Sequence, residues 1–193
     1  GVVPGPTPTR VEDFALLTDQ FVGGGDLVAA AKITGMLGRR GRAFTVRIGS
    51  RVSFEDLRGS PSVLVGYSST HWAEVTKEFR YYIDDSDRSM IRDHGQPTEW
   101  YPRLTRDYHT DEDYAVVTRA FRSETHAPMI LVTGCSQYGT EAAANLVTSS
   151  ELLALALRGA PEGWAQKNLQ LVLQLKVISR SPADPKVIAA HYW

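Results

Sequence analysis

Apolar positions in the first half of the chain form short runs that are interrupted by one longer helical pattern. The runs at residues 14–17, 44–48 and 63–66 have the length and composition of β-strands. Between residues 27 and 37, apolar side chains recur at helical spacing and cover several faces, which predicts a helix that is largely buried. Asp26 stands directly before this pattern, at the position of a helix N-cap.

Two shorter helical patterns complete the first half. Ser53 and Asp56 have the spacing of a capping box, and Trp72, Val75 and Phe79 share the apolar face of a further helix. Because strands and helices alternate here, the first half predicts parallel βα units.

The second half has a different order of elements, in which predicted strands follow one another and are joined by polar segments. The predicted elements are a hairpin of residues 81–83 and 90–91, a loop over residues 93–113, a hairpin of residues 114–121 and 129–133, a helix over residues 140–147, and strands at residues 168–178 and 187–192. In the strand at residues 168–178, leucine and valine alternate with Gln170, Gln174 and Lys176, which predicts one buried and one polar face. We therefore predict a mixed α/β sandwich, with parallel βα units in the first half and antiparallel hairpins in the second.

Composition narrows the functional classes. The 193 residues include 21 Lys and Arg against 22 Asp and Glu, so the net charge of −1 provides no overall positive field for nucleic acid. The single cysteine, Cys135, excludes an intrachain disulfide and a cysteine-rich metal site. No apolar run reaches the roughly 20 residues of a membrane helix. We expect no nucleic-acid binding by this segment.

Residues 1–10 have the composition of a linker. Pro4, Pro6 and Pro8 alternate with other residues and favour an extended arm over packed structure. We interpret residues 1–10 as a proline-rich arm and residues 11–193 as a single α/β domain. A linker at the start of the sequence also predicts a further domain upstream.

Two predicted strand-to-helix turns are rich in hydroxyl groups. One follows the strand at residues 63–66 and the other follows the strand at residues 129–133, and such turns commonly bind small ligands in α/β sheets. The candidate ligand-binding residues are Ser68, Ser69, Thr70, Trp72, Ser136, Gln137 and Thr140. In the alternative interpretation, the hydroxyl groups are helix N-caps and Trp72 belongs to the core.

Cys135 stands in the second of these turns, in the segment TGCSQYG. A nucleophile at a strand-to-helix turn has this placement, and a helix N-terminus can lower the pKa of a thiol. A cysteine nucleophile also needs a base, and the sequence places none of the five histidines beside it. A buried, unreactive thiol is the competing interpretation.

Gly23, Gly24 and Gly25 precede a predicted helix, as glycines do in phosphate-binding loops. They lack the GxGxxG spacing and the lysine of a P-loop, and Asp26 would repel a phosphate at that helix end. A flexible turn explains the glycines.

Acidic runs at residues 84–87 and 107–113 contain possible cation ligands but do not match a calcium loop. His109, between Asp107 and Asp111, has a spacing that a metal ion could use. We interpret both runs as solvated turns, and we predict no metal ion and no cofactor.

Several phrases together resemble one family of bacterial proteins. They are GD at residues 25–26, SFEDLR at 53–58, PSVLVGYSSTHW at 61–72, IRD at 91–93, YGTEAAANLVTSSE at 138–151, GWAQKNLQLVLQLKVI at 163–178 and the terminal HYW. In this family the module is similar to a C-terminal region that follows a DNA-binding winged helix and a membrane segment, and the resemblance covers about residues 13–193. The resemblance assigns neither an activity nor a catalytic residue to this chain. It also implies that the family does not require cysteine at position 135.

The resemblance implies that the proline-rich arm is a juxtamembrane tether and that the domain lies outside the cytoplasmic membrane; without it, a cytoplasmic location is the default. We expect a non-enzymatic sensor domain of a membrane-anchored bacterial regulator, which binds a small ligand or a protein partner. One alternative is a cysteine-dependent hydrolase or acyltransferase that uses Cys135. The other is a dimerisation module, in which the strand at residues 168–178 or the terminal His191, Tyr192 and Trp193 pack against a second copy.

Overall fold

A computed structural model describes residues 22–49, 52–66, 71–86, 88–94, 96–106, 109–121 and 126–193. The proline-rich arm at residues 1–10 and the predicted strand at residues 14–17 lie outside these residues. None of the described helices combines the length and the apolar composition needed to span a bilayer.

The described residues form an α/β fold of three layers. The helices are α1 (Gly24–Arg39), α2 (Phe54–Leu57), α3 (Gln137–Thr148) and α4 (Ser150–Ala156), with short 3-10 helices at His71–Thr76 and Trp164–Gln166. The strands are β1 (Ser62–Val65), β2 (Tyr81–Asp84), β3 (Met90–Asp93), β4 (Gln96–Trp100), β5 (Glu112–Ala120), β6 (Met129–Gly134), β7 (Leu169–Ile178), β8 (Ser181–Pro182) and β9 (Lys186–Tyr192).

The central sheet has the strand order β1-β6-β5-β7, and β8 and β9 both pair with β7. Strand β1 is parallel to β6, whereas β5 is antiparallel to β6 and β7. The strands β2, β3 and β4 form a separate antiparallel sheet. The predicted hairpins β2-β3 and β5-β6 and the pairing of β7 with β9 are confirmed.

The two faces of the central sheet bury different layers. Helices α1 and α3 cover one face, where Ile33 and Leu146 pack with Leu171 of β7. The small sheet covers the other face, where Ile91 packs with Val116 and Val172. Burial on both sides explains why β7 does not have the predicted polar face along its whole length: Gln170 is fully buried.

Helix α1 differs from its prediction in two respects. It begins at Gly24, with Gly23 as the N-cap residue and no side-chain cap, so the prediction of Asp26 as the N-cap is wrong. Its buried residues are Gly25, Ala29 and Ile33, and Leu27 is 64% exposed, so the prediction of a largely buried helix is also wrong. A single stripe of buried residues is sufficient because α1 packs mainly against α3.

Three other predictions for the first half have mixed outcomes. The capping box of α2 is confirmed, because the Ser53 N–H donates to Asp56 and the Asp56 N–H donates to Ser53 Oγ. Residues 44–48 have no regular secondary structure and belong to neither sheet, and Phe44 and Val46 are exposed. The only parallel pair among the described strands joins β1 to β6 of the second half, so parallel βα units within the first half are not confirmed.

The second half contains two strands that the sequence pattern missed, β4 and the two-residue β8. Strand β4 falls within the predicted loop at residues 93–113 and pairs with β3 through an irregular register. Its sequence QPTEW is polar and contains Pro97, which weakens any strand pattern.

Candidate functional site

The beginning of α3 is built around a buried carboxylate, that of Asp113. Asp113 lies in β5, in phase with Ala115 and Val117, so its side chain points towards the helices and is 0% exposed. Its Oδ2 accepts hydrogen bonds from Ser136 Oγ at 2.5 Å and from the Gly139 N–H at 2.6 Å. Its Oδ1 accepts from the Tyr114 N–H at 2.8 Å. Asp113 therefore supplies an acceptor to backbone donors that the first turn of a helix otherwise leaves unpaired.

Two opposing effects act on the Asp113 carboxyl group. Burial is the larger effect and raises the Asp113 pKa to about 6. The hydrogen bonds donated by Ser136, Tyr114 and Gly139 lower the pKa and offset part of this rise. Asp113 was expected to lie in a solvated acidic turn, and that prediction is wrong for this residue. The sequence signal that could have corrected it is the strand phase, because Asp113 precedes Ala115 and Val117 at two-residue spacing.

Cys135 lies on the other side of the same turn, against the small sheet. It packs with Ile91 and Val116, and its Sγ is 4.0 Å from the Trp100 carbonyl oxygen. Burial raises the pKa of the thiol well above its usual value, and the charge of Asp113 adds to this effect. The thiol therefore stays protonated at neutral pH, and its reactivity as a nucleophile is low.

The first turn of α1 lies against the first turn of α3. Gly25 approaches the Gln137 backbone so closely that an added Cβ would overlap it. At the end of β1, Gly66 adopts a φ of +59°, and an added Cβ there would overlap the Asp26 carboxylate. Burial raises the pKa of Asp26, and its contact with the Gly23 N–H opposes this shift. The ends of β1 and β6 and the starts of α1 and α3 therefore meet at one edge of the central sheet.

The structure places the predicted ligand-binding residues in three different situations. Ser68, Ser69 and Thr70 lie outside the described residues. Trp72 is 2% exposed, packs against Met129 and Leu131, and donates from Nε1 to the Gly49 carbonyl oxygen at 3.3 Å.

Ser136, Gln137 and Thr140 come together at the start of α3. The Ser136 hydroxyl donates to Asp113 and accepts from the Tyr138 N–H, and Thr140 Oγ1 accepts from the Gly134 N–H at 3.0 Å. Gln137 is exposed. Two of the three side chains therefore have structural partners, whereas Gln137 faces solvent beside α1.

The ion-binding hypotheses concern other parts of the chain. The Asp26 carboxylate accepts the Gly23 N–H, so a negative group already stands at the α1 N-terminus, where a phosphate would bind. Among the described residues, no three His, Cys, Asp or Glu side chains are grouped to hold a metal ion. Asp107, a member of the His109 hypothesis, lies outside the described residues.

Comparison with known proteins gave no match to a family model, to a curated protein or to a solved structure. The resemblance to the bacterial family therefore stays a prediction.

Proposed function

We propose that this chain is a non-enzymatic binding domain whose ligand or protein partner contacts the edge where α1 and α3 begin. In this proposal the domain is the sensor part of a membrane-anchored bacterial regulator and lies outside the cytoplasmic membrane. The upstream arm would connect it to the anchor and to the effector domain.

One observation carries the proposal: β1 and β6 are parallel neighbours, and the Gly66 N–H donates to the Val132 carbonyl oxygen at 3.0 Å. Strands β1 and β6 therefore end at the same edge of the sheet. Ligands of α/β sheets commonly bind at the carboxyl ends of such strands. The exposed Gln137 side chain lies in the same region and can contact a ligand there.

The environment of Cys135 supports a binding role over the cysteine-dependent alternative. Among the described residues, the hydrogen-bonding groups placed against the thiol are the Ser89 hydroxyl, the Ile91 backbone and the Trp100 carbonyl oxygen, and none of these three belongs to a histidine. A thiol with a raised pKa and no paired base is a weak nucleophile at neutral pH.

The finer part of the predicted fold also belongs to this proposal. We propose that residues 44–48 form a strand that extends the central sheet beyond β1, which would complete a parallel βα unit through α2. Support comes from the alternating apolar side chains of Phe44, Val46 and Ile48, which are 48%, 65% and 46% exposed without such pairing. Extended segments with this pattern are stabilised when they join a sheet.

A thermal-shift screen of small metabolites tests ligand binding directly. A ligand present at 100 times its Kd stabilises a folded protein by about 2.7 kcal/mol, which is a readily measured rise in Tm. We expect the Gln137→Ala variant to keep its own Tm and to lose most of the ligand-induced rise. The control is Gln166→Ala, which changes an exposed glutamine of the 3-10 helix Trp164–Gln166.

Two results would count against the proposal: no metabolite raises the Tm, or both variants respond like the unaltered chain. If the partner is a second copy of the chain, light scattering will show a dimer. The terminal residues would then be the first region to examine, because Trp193 is 43% exposed. Strand β7 is less suitable, since it has neighbours on both edges.

A further inference from the structure

A polar cleft lies on the face of the central sheet that the small sheet covers, away from the helix layer. It has a volume of about 380 Å³ and is bordered by the end of β4 and by β5, β7 and β9. We call it the β4 cleft, and its polar lining comprises Glu99, Tyr101, Arg103, Glu112, Tyr114 and Gln174. The proposed function makes no use of this cleft.

The inner wall of the β4 cleft holds the Glu112 carboxylate in one orientation. Its Oε1 accepts from the Tyr114 hydroxyl at 2.5 Å, and its Oε2 accepts from Gln174 Nε2 at 2.8 Å. The sheet register enforces this arrangement, because Tyr114 of β5 is directly opposite Gln174 of β7. Each carboxylate oxygen has a further lone pair, so Glu112 can still accept hydrogen bonds from a ligand.

The outer wall carries two exposed charges on the segment around the end of β4. The side chains of Glu99 and Arg103 are exposed and take no part in the ion pairs among the described residues. Tyr101 lies between them in the sequence, and its ring is 4.9 Å from the Arg88 guanidinium. The cleft therefore offers two carboxylates and a guanidinium group that forms no ion pair within the described part of the chain.

The pKa of the Tyr114 hydroxyl is affected by charges of both signs in the cleft. Burial and the adjacent Glu112 raise its pKa to about 12, whereas the positive charge of Arg103 lowers it. The hydroxyl therefore stays protonated and donates to Glu112. Glu112 and Arg103 both line this one cleft, so a single small molecule can contact the two groups.

We propose that the β4 cleft binds a free amino acid or a similarly small zwitterion, with the ligand carboxylate at Arg103 and its ammonium group at Glu112 and Glu99. A simple anion would pair with Arg103 but would be repelled by the two carboxylates, and a simple cation would leave Arg103 unpaired. A ligand with both charges satisfies every group. The cleft volume lies at the small end of the range of ligand sites, which suits a molecule of this size.

This inference does not rest on the proposed function, because the two sites lie on different layers of the fold. NMR titration separates them, since the Gln174 side-chain amide reports on the β4 cleft and the Gln137 amide reports on the edge where α1 and α3 begin. We expect at least one standard L-amino acid to shift the Gln174 signals with a Kd below about 1 mM. Its analogues that lack either the amine or the carboxylate should bind at least about 10-fold more weakly.

Matched variants test the assigned residues. Arg103→Gln should weaken amino-acid binding by about 10-fold or more, and Arg106→Gln, an exposed arginine outside the cleft lining, should leave it unchanged. Glu112→Gln should also weaken binding, with its Tm checked because Glu112 has two structural partners. The inference is overturned if no amino acid at about 10 mM shifts the Gln174 signals. It is also overturned if either analogue binds as well as the amino acid, or if Arg106→Gln and Arg103→Gln have equal effects.

Discussion

At the scale of single residues, Asp113 shows how one buried carboxylate organises the start of a helix. Its oxygens accept donors from β5, from the turn after β6 and from the first turn of α3, which ties three segments together. Burial nevertheless disfavours its charged form, so the folded state binds the proton more tightly than the unfolded chain does.

The stability of the domain should therefore depend on pH through Asp113. Its folded pKa of about 6 lies above the ordinary value of 3.8 for an aspartate, so the stabilisation from protonation is complete below about pH 4 and is lost as the pH rises through 6. We expect the difference in unfolding free energy between the unaltered chain and Asp113→Asn to be about 1 to 2 kcal/mol larger at pH 4.5 than at pH 7.5.

Urea unfolding at the two pH values measures this difference. Asp111→Asn is the control, because Asp111 is exposed and a substitution there should change the unfolding free energy by no more than about 0.5 kcal/mol. A difference for Asp113→Asn that shrinks at low pH would show that the hydrogen-bond donors, and not burial, dominate the Asp113 pKa.

At the scale of elements, the packing of α1 against α3 depends on glycine at one position. Gly25 lies in the first turn of α1, where only a hydrogen atom fits between the helix and the Gln137 backbone. The same helix contains Gly38, which has no neighbouring atom within 4 Å of an added Cβ. Packing therefore requires glycine at position 25 of this helix but not at position 38.

Alanine at these two positions should have effects of opposite sign. Gly25→Ala should lower the free energy of unfolding by about 1 to 3 kcal/mol, because α1 must move away from α3 to accommodate the methyl group. Gly38→Ala should raise it by about 0.5 to 1 kcal/mol, because alanine loses less backbone entropy than glycine in a helix. Urea unfolding of both variants tests the pair, and a neutral Gly25→Ala would mean that the two helices are not in tight contact in solution.

At the scale of the whole molecule, Gln170 connects the two sheets. Its Nε2 donates to the Tyr81 carbonyl oxygen at 2.7 Å and to Thr118 Oγ1 at 3.0 Å. Its Oε1 accepts from the Tyr81 N–H at 3.0 Å. The Gln170 amide thus pairs with both backbone groups of Tyr81 and holds β2 of the small sheet against β7 of the central sheet.

Removing this connection should destabilise the layered assembly. Gln170→Met keeps the side-chain length but leaves the Tyr81 N–H and carbonyl groups without partners in a buried position, so we expect a loss of about 2 to 4 kcal/mol. The control is Lys176→Met, an exposed site on the same face of β7, with an expected change within about 0.5 kcal/mol. Thermal or urea unfolding measures both changes, and equal effects of the two variants would argue against a structural role for the Gln170 amide.

Local patterns in the sequence were sufficient for several elements. The capping box of α2, the β2-β3 and β5-β6 hairpins and the pairing of β7 with β9 depend on contacts between residues close in sequence or on strong two-residue alternation. Strand β4 was missed because its polar sequence becomes a strand only through pairing with β3.

The sequence by itself determined the α/β class and the polar character of the turn after β6. It also determined the approximate limits of helices α1 and α3 and of the β2-β3 and β5-β6 hairpins. Only the tertiary structure decided that β1 joins β6, that Asp113 is buried under α3, and that Gln170 lies between two sheets. The physical reason is that burial of a polar side chain depends on the layers that cover a strand, and those layers come from residues distant along the chain. For the same reason, the β4 cleft could not be anticipated: its residues come from four strands or strand ends that the fold alone brings together.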